Sequence, residues 1–196
     1  MPVFRDERDR QLYVQLMLEQ ARAHGLRFLA WCLMENHVHL IVIPRTEQSL
    51  ARGIGEAHRR YTWQVNRREG VVGWLFQGRF YSCPLDEKHG IAAIRYVERN
   101  PVRAGVVSQA WEHAWSSAAF HVGQRTDDPL VGEPGDLGSP ADWRKWLECD
   151  PQEMALLRKA TRTGRPCGSP RFTAELEQFT GRRLTPSIGG RPRQDA

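Results

Sequence analysis

Apolar positions recur at helical spacing from Asp6 to about His24. Leu12, Leu16 and Ala23 fall on one side with Tyr13 and Met17 beside them, and Gly25 is a natural stop. Two apolar runs follow, "LRFLAWCLM" and "HVHLIVIP", joined by a short Glu-Asn turn and ended by Pro44, and they predict a β-hairpin. A second helix is expected over residues 47–69, where Leu50, Ile54, Ala57, Tyr61 and Val65 keep helical spacing and Gly70 closes it. "WLFQGRFYSCPL" reads as a further strand. Asp86 can cap a third helix, "DEKHGIAAIRYVERN", which Pro101 stops, leaving Asn100 at its last turn or just beyond. The order helix, strand, strand, helix, strand, helix predicts an α+β fold, an antiparallel sheet with helices packed on it. Past Ala104 the pattern loosens. "HVGQRTDDPLVGEPGDLGSPADW" reads as a surface connection, one or two short helices are expected between Pro140 and Ala160, and no internal repeat is present.

The chain of 196 residues can bury a sizeable core without disulfides. Its four cysteines, Cys32, Cys83, Cys149 and Cys167, form no CxxC pair and read as reduced thiols of a cytoplasmic protein. No apolar run reaches ~18 residues, so no membrane span is expected, and "MPVFRDERDRQ" has no signal-peptide segment. The net charge of +5 rests on arginine, since lysine occurs only at 88, 145 and 159. Guanidinium groups suit phosphate, although a GC-rich genome gives the same bias. The tail from residue 158 holds nine Arg or Lys against three acids. Its clusters around Arg165 and around Arg182 and Arg183, and "GRPR" near 190, suit phosphate tracking, or alternatively a solvated tail.

The pattern leaves one anomaly: two imidazoles inside the apolar second run of the hairpin. Strand alternation turns His37 and His39 to one side and Val38, Leu40 and Val42 to the other. Such a pair can converge on a divalent cation or simply be hydrogen-bonded within a sheet. Tyr96 and Asn100, four apart, share a helix face. The phenol is a possible attacking group and the amide oxygen a possible third ligand. Against that, Tyr96 can pack in the core and Asn100 can cap the helix before Pro101. Tyr61, in "HRRYTWQVNRR", is either a stacking platform or a core residue. Arg59, Arg60, Arg67 and Arg68 beside it are candidate phosphate contacts. Tyr13 and Tyr81 read as packing residues.

"CLMENHVHLIV", then "GRFYS", then "YVERNPVRAGVV" resembles the REP-associated tyrosine transposases, within the single-tyrosine HUH transposases that act on single-stranded DNA. The likeness runs from about residue 5 to residue 122, and "TGRPCGSPRF" and "GRRLTP" look like the family's C-terminal part. The resemblance implies a ferredoxin-like sheet carrying the histidines, with the tyrosine helix against it. It implies His37, His39 and Asn100 as ligands of Mg2+ or Mn2+, and Tyr96 as the nucleophile that forms a 5′-phosphotyrosine link on a REP-like hairpin. It implies a transposase domain over 1–122, a linker over 123–140 and a basic DNA-recognition segment over 141–196 (Arg165, Arg182, Arg183), in a monomer or homodimer. Two departures stand out. The family's strand before the first helix is missing, which would leave backbone groups and apolar surface bare, and Glu35 replaces a usual Pro. A DNA-binding remnant without chemistry is the alternative, and an HxH metallohydrolase a third, poorer in ligands.

Overall fold

The computed structural model describes residues 2–132 and 142–185. Helix α1 spans Glu7–His24. The Asp6 carboxylate caps it by accepting from the Asp9 N–H, and Gly25 ends it at φ 65°, a left-handed conformation that glycine adopts without cost. Strands β1 (Leu26–Leu33) and β2 (Val38–Pro44) pair antiparallel, with His39 opposite Cys32. Helix α2 (Ser49–Glu69) ends at Gly70, again left-handed. Helix α3 (Glu87–Glu98) is capped by Asp86. After it come α4 (Asn100–Arg103), a 3-10 turn (Ala110–Glu112) and α5 (Ala118–His121). The C-terminal part carries α6 (Trp143–Trp146), α7 (Met154–Thr163) and α8 (Pro170–Thr180).

The hairpin divides the molecule into layers. On one face Leu26, Phe28, Trp31 and Leu33 of β1 pack with Tyr13, Leu16 and Met17 of α1 and Ile54, Ala57, Tyr61 and Val65 of α2, joined by Val38, Leu40 and Val42 of β2. Each Leu, Ile, Val, Met or Phe among them contributes roughly 1.5–3 kcal/mol on burial. On the other face Ala30, Cys32 and Met34 meet Ile94 and Val97 of α3, with Ile41 and Tyr96 alongside. The register shifts between Phe28 and Ala30. That extra residue explains why the α1/α2 face takes even positions before it and odd ones after.

The α+β expectation holds, but the sheet is limited to the hairpin among the described residues. Residues 71–86, expected to hold a strand, form none beyond a single bridge from Leu85 to Cys167. Gly73 and Gly78 turn the chain at φ 129° and 126°. Phe76 spends its ring on His58 of α2, stacked at 3.9 Å, and Leu75 and Phe80 anchor on the same core. Tyr81 is 78% exposed, so it is not the packing residue expected. The outer edge of β1 is not bare. Leu33 N–H donates to Trp115 O at 2.9 Å, Ser117 N–H to Trp31 O at 3.1 Å, and Val131 bridges Phe28. The N-terminal residues Val3 and Phe4 donate to the backbone carbonyl of Glu35 in the hairpin turn, while Glu35 itself is exposed.

Two helices, α6 and α7, fall where one or two short ones are expected between Pro140 and Ala160, α7 running on to Thr163. Helix α8 had a readable signal of its own, Ser169 as cap, Pro170 in the first turn and Gly181 after the end. Of the expected linker, residues 133–140 lie outside the described residues, as does the "GRPR" cluster near 190. No described helix is long and apolar enough to cross a membrane, and all four cysteines are free thiols.

Candidate active site

The opposite-face arrangement of the hairpin is what presents the histidines. With Val38, Leu40 and Val42 turned to the α1/α2 core, His39 is turned to α3, where its ring meets Tyr96 at 6.0 Å between centroids, edge to face. His37 lies just before β2, and its ring stands 4.8 Å from that of His39. His37 Nδ1 lies 2.6 Å from Asn36 Oδ1. An amide oxygen only accepts, so Nδ1 carries the proton and Nε2 keeps its lone pair. Burial pushes the His39 pKa down to about 3, with the positive charges of His37 and Arg103 adding to the effect, and burial also lowers that of His37. The His39 ring is thus neutral at pH 7, the form that ligates a cation.

Tyr96 is half-buried against Cys32, Met34 and Val97. Its hydroxyl has no hydrogen-bond partner among the described residues. The other tyrosines differ. Tyr13 OH is 2.9 Å from His58 Nε2, Tyr61 OH donates to Val3 O at 2.8 Å, and both rings are fully buried in the α1/α2 core. Tyr61 is therefore a core residue and not a stacking platform.

Asn100 sits one turn on, at the start of α4. Pro101 has no N–H for the Val97 carbonyl, and the Asn100 amide supplies one at 3.1 Å, reaching Tyr96 O at 3.3 Å as well. Its own oxygen accepts from Arg103 Nη2 at 2.8 Å. Asn100 closes the helix break, and its oxygen keeps a second lone pair beside the bond from Arg103. No group of three or more His, Cys, Asp or Glu side chains among the described residues can hold a metal ion. The side chains of a kind that suits a divalent cation are the two imidazoles, one already oriented through Nδ1.

The arginines of α2 are not brought to this site. Helix α2 packs on the face of the hairpin opposite Tyr96. Arg60 pairs with Glu19 of α1 at 2.9 Å, Arg68 with the buried Asp9 at 2.8 Å, and Arg59 with Glu56 of its own helix. Arg67 stands over the exposed Trp63 ring at 5.3 Å. Arg165 is half-buried, and Arg182 and Arg183 are exposed beyond α8. Sequence reasoning missed the arginine ladder beside the tyrosine: Arg95, Arg99 and Arg103, four apart, all grip residues 146–150. The spacing was a signal, but their partner Asp150 had none.

The fold thus sets a helix-borne phenol beside a hairpin histidine pair. The family model described as "Transposase IS200 like" matches residues 1–100, and the chain belongs to that family of transposases. No curated protein matches. Among solved structures, a REP-associated tyrosine transposase bound to a REP hairpin aligns at 18% identity with a TM-score of 0.46, covering 67% of this chain and 77% of that one. That likeness is too remote to bear on function.

Proposed function

We propose that this transposase cuts and joins single-stranded DNA by transesterification at Tyr96, on REP-like hairpins, with His37, His39 and Asn100 as ligands of Mg2+ or Mn2+. One observation carries the reading: of the four tyrosines, Tyr96 alone combines a ring beside a histidine of the pair with a hydroxyl that has no hydrogen-bond partner among the described residues. When bound, the cation draws charge from a phosphate oxygen and orients the scissile group.

The chain's own residues do the rest. Tyr96 Oη gives up its proton and attacks phosphorus, the P–O3′ bond breaks, and the departing 3′ oxygen takes up a proton in exchange and leaves as a 3′-hydroxyl. The new phosphotyrosine ester keeps the bond energy, so a later 3′-hydroxyl attacks it and releases Tyr96 without ATP. His37 is kept in one tautomer by Asn36. The exposed Arg67, Arg182 and Arg183 are the sequence-predicted arginines best placed to meet phosphates, whereas Arg59, Arg60 and Arg68 must first leave their ion pairs and Arg165 is half-buried.

The test is incubation with a labelled REP-like hairpin oligonucleotide and Mn2+ or Mg2+, read on a denaturing gel. A denaturation-resistant adduct is expected, lost on chelation and in His39→Ala. Salt-sensitive hairpin binding without an adduct, unchanged by chelator, would establish the non-catalytic remnant instead.

A further inference from the structure

Arg103 is seven residues beyond Tyr96, and its guanidinium is shared four ways. The central carbon stands 4.2 Å from the Tyr96 ring centroid. Nη2 donates to Tyr96 O at 2.6 Å and to Asn100 Oδ1 at 2.8 Å, and Nη1 pairs with Asp150 Oδ1 at 2.9 Å. The side chain is 13% exposed. Asp150 lies between α6 and α7, in the C-terminal part, and also takes Arg99 Nε at 2.8 Å.

The plain account is a tie that docks the C-terminal part on α3. Two other arginines already make that tie. Arg95 donates to Trp146 O and Cys149 O at 3.1 and 2.8 Å, and Arg99 donates to Leu147 O. What Arg103 does alone is roof the Tyr96 ring and restrain the Asn100 amide. A planar fork can do both at once, and the point charge of a lysine cannot.

We propose that Arg103 is a positioning residue for Tyr96, set in place by Asp150, so that the C-terminal part helps to aim the nucleophile. This rests on the transesterification reading above. In-line attack needs the phenol oxygen near van der Waals contact with phosphorus, and a 1 Å misplacement costs on the order of 10²-fold in rate. A ring held from one face by a cation and set nearly perpendicular to the His39 ring has little freedom to miss.

The test uses the full chain with ¹³C-labelled tyrosine rings, without DNA or cation, the Tyr96 signals being assigned through Tyr96→Phe. Arg103→Lys and Asp150→Asn are both expected to shift the Tyr96 ring signals while leaving those of Tyr13 and Tyr61, on the other face of the hairpin, in place. Single-turnover adduct formation is expected to fall about tenfold or more in Arg103→Lys and several-fold in Asp150→Asn, with Asp150→Glu restoring part of it and hairpin Kd within about twofold throughout. Tyr96 signals unmoved by both variants would overturn the proposal, as would a shifted signal with an unchanged adduct rate in an active protein. If Arg103→Lys loses the Tyr13 and Tyr61 signals and so fails to fold, Asp150→Asn decides. A wild type that forms no adduct would sink the transesterification reading, and the ring signals would still judge Arg103.

Discussion

Removing the imidazole of His121 isolates a charge at the heart of the fold. Glu98, two residues after Tyr96, is fully buried and accepts from Ser117 Oγ and His121 Nδ1, each at 2.5 Å. Ser117 in turn braces β1 through the Trp31 N–H and carbonyl. Burial pushes His121 toward its neutral form, but the hydrogen bond and charge of Glu98, helped by Asp128, outweigh it and raise the pKa above its usual value. His121→Ala leaves the carboxylate unpaired, which costs about 3–5 kcal/mol, or roughly 6–20 °C in Tm for a chain of this size.

The pH dependence gives a sharper signature of the same pair. A raised folded-state pKa means the stabilisation is complete below the unfolded value near ~6.5 and is lost as pH rises through the folded one. The wild-type slope therefore approaches about −1.4 kcal/mol per pH unit above pH ~6.5, and His121→Ala is expected to lack it. His58, at about 4, and His113 are both held low by burial, so they act in the opposite window, losing stability as pH falls below ~6.5. The half-buried Cys83 thiol and the buried Cys167 thiol are pushed up by desolvation, Cys167 to about 11, and add a slope of the same sign only above ~8.5. Urea titrations followed by tryptophan fluorescence between pH 6 and 8 isolate the pair. Parallel wild-type and variant stabilities across that window, or a loss below about 1 kcal/mol, would refute the reasoning.

Tyr61→Phe removes a buried hydrogen bond to Val3 O and is expected to cost about 1–2 kcal/mol in urea denaturation while leaving adduct formation intact, which separates it from Tyr96→Phe. Arg68→Ala strips the ion-pair partner from buried Asp9, whose Oδ2 still accepts from the Arg5 N–H at 2.9 Å. Because Arg68 is itself partly exposed, solvent screening limits the expected loss to about 1–2 kcal/mol, and unchanged stability with weakened hairpin binding would instead mark it as a DNA contact. Asp86→Ala removes the cap of the tyrosine helix and the carboxylate that accepts from the Ser169 N–H at 2.8 Å. An expected loss of about 1–2 kcal/mol should shrink as pH falls through the depressed Asp86 pKa, where burial is outweighed by hydrogen bonds from His89 and Ser169.

The first helix, the hairpin and the facing of His37 and His39 were legible because alternation and capping are local signals: Asp6, Gly25 and Pro44 act within a few residues of themselves. The segment 71–86 was misread because its aromatics suit a strand equally well, and only the position of α2 decides that Phe76 stacks on His58. The capping reading of Asn100 holds, because its amide N–H serves the helix break at Pro101. Arg103 was invisible as a neighbour of Tyr96 because its second anchor, Asp150, is 47 residues away. Glu98 and His121 hid in the same way, their partnership spanning 23 residues with no periodicity to mark it.

The central claim is that Tyr96 oxygen becomes bonded to DNA phosphorus. Trypsin cuts after Arg95 and Arg99, so the four-residue peptide Tyr96–Arg99 isolates that hydroxyl. After reaction with a hairpin oligonucleotide and a divalent cation, then nuclease and trypsin, mass spectrometry is expected to find the nucleotide on that peptide and on no other. A nucleotide on the Phe80–Lys88 peptide, which carries the exposed Tyr81, or an adduct that persists in Tyr96→Phe, would contradict the account.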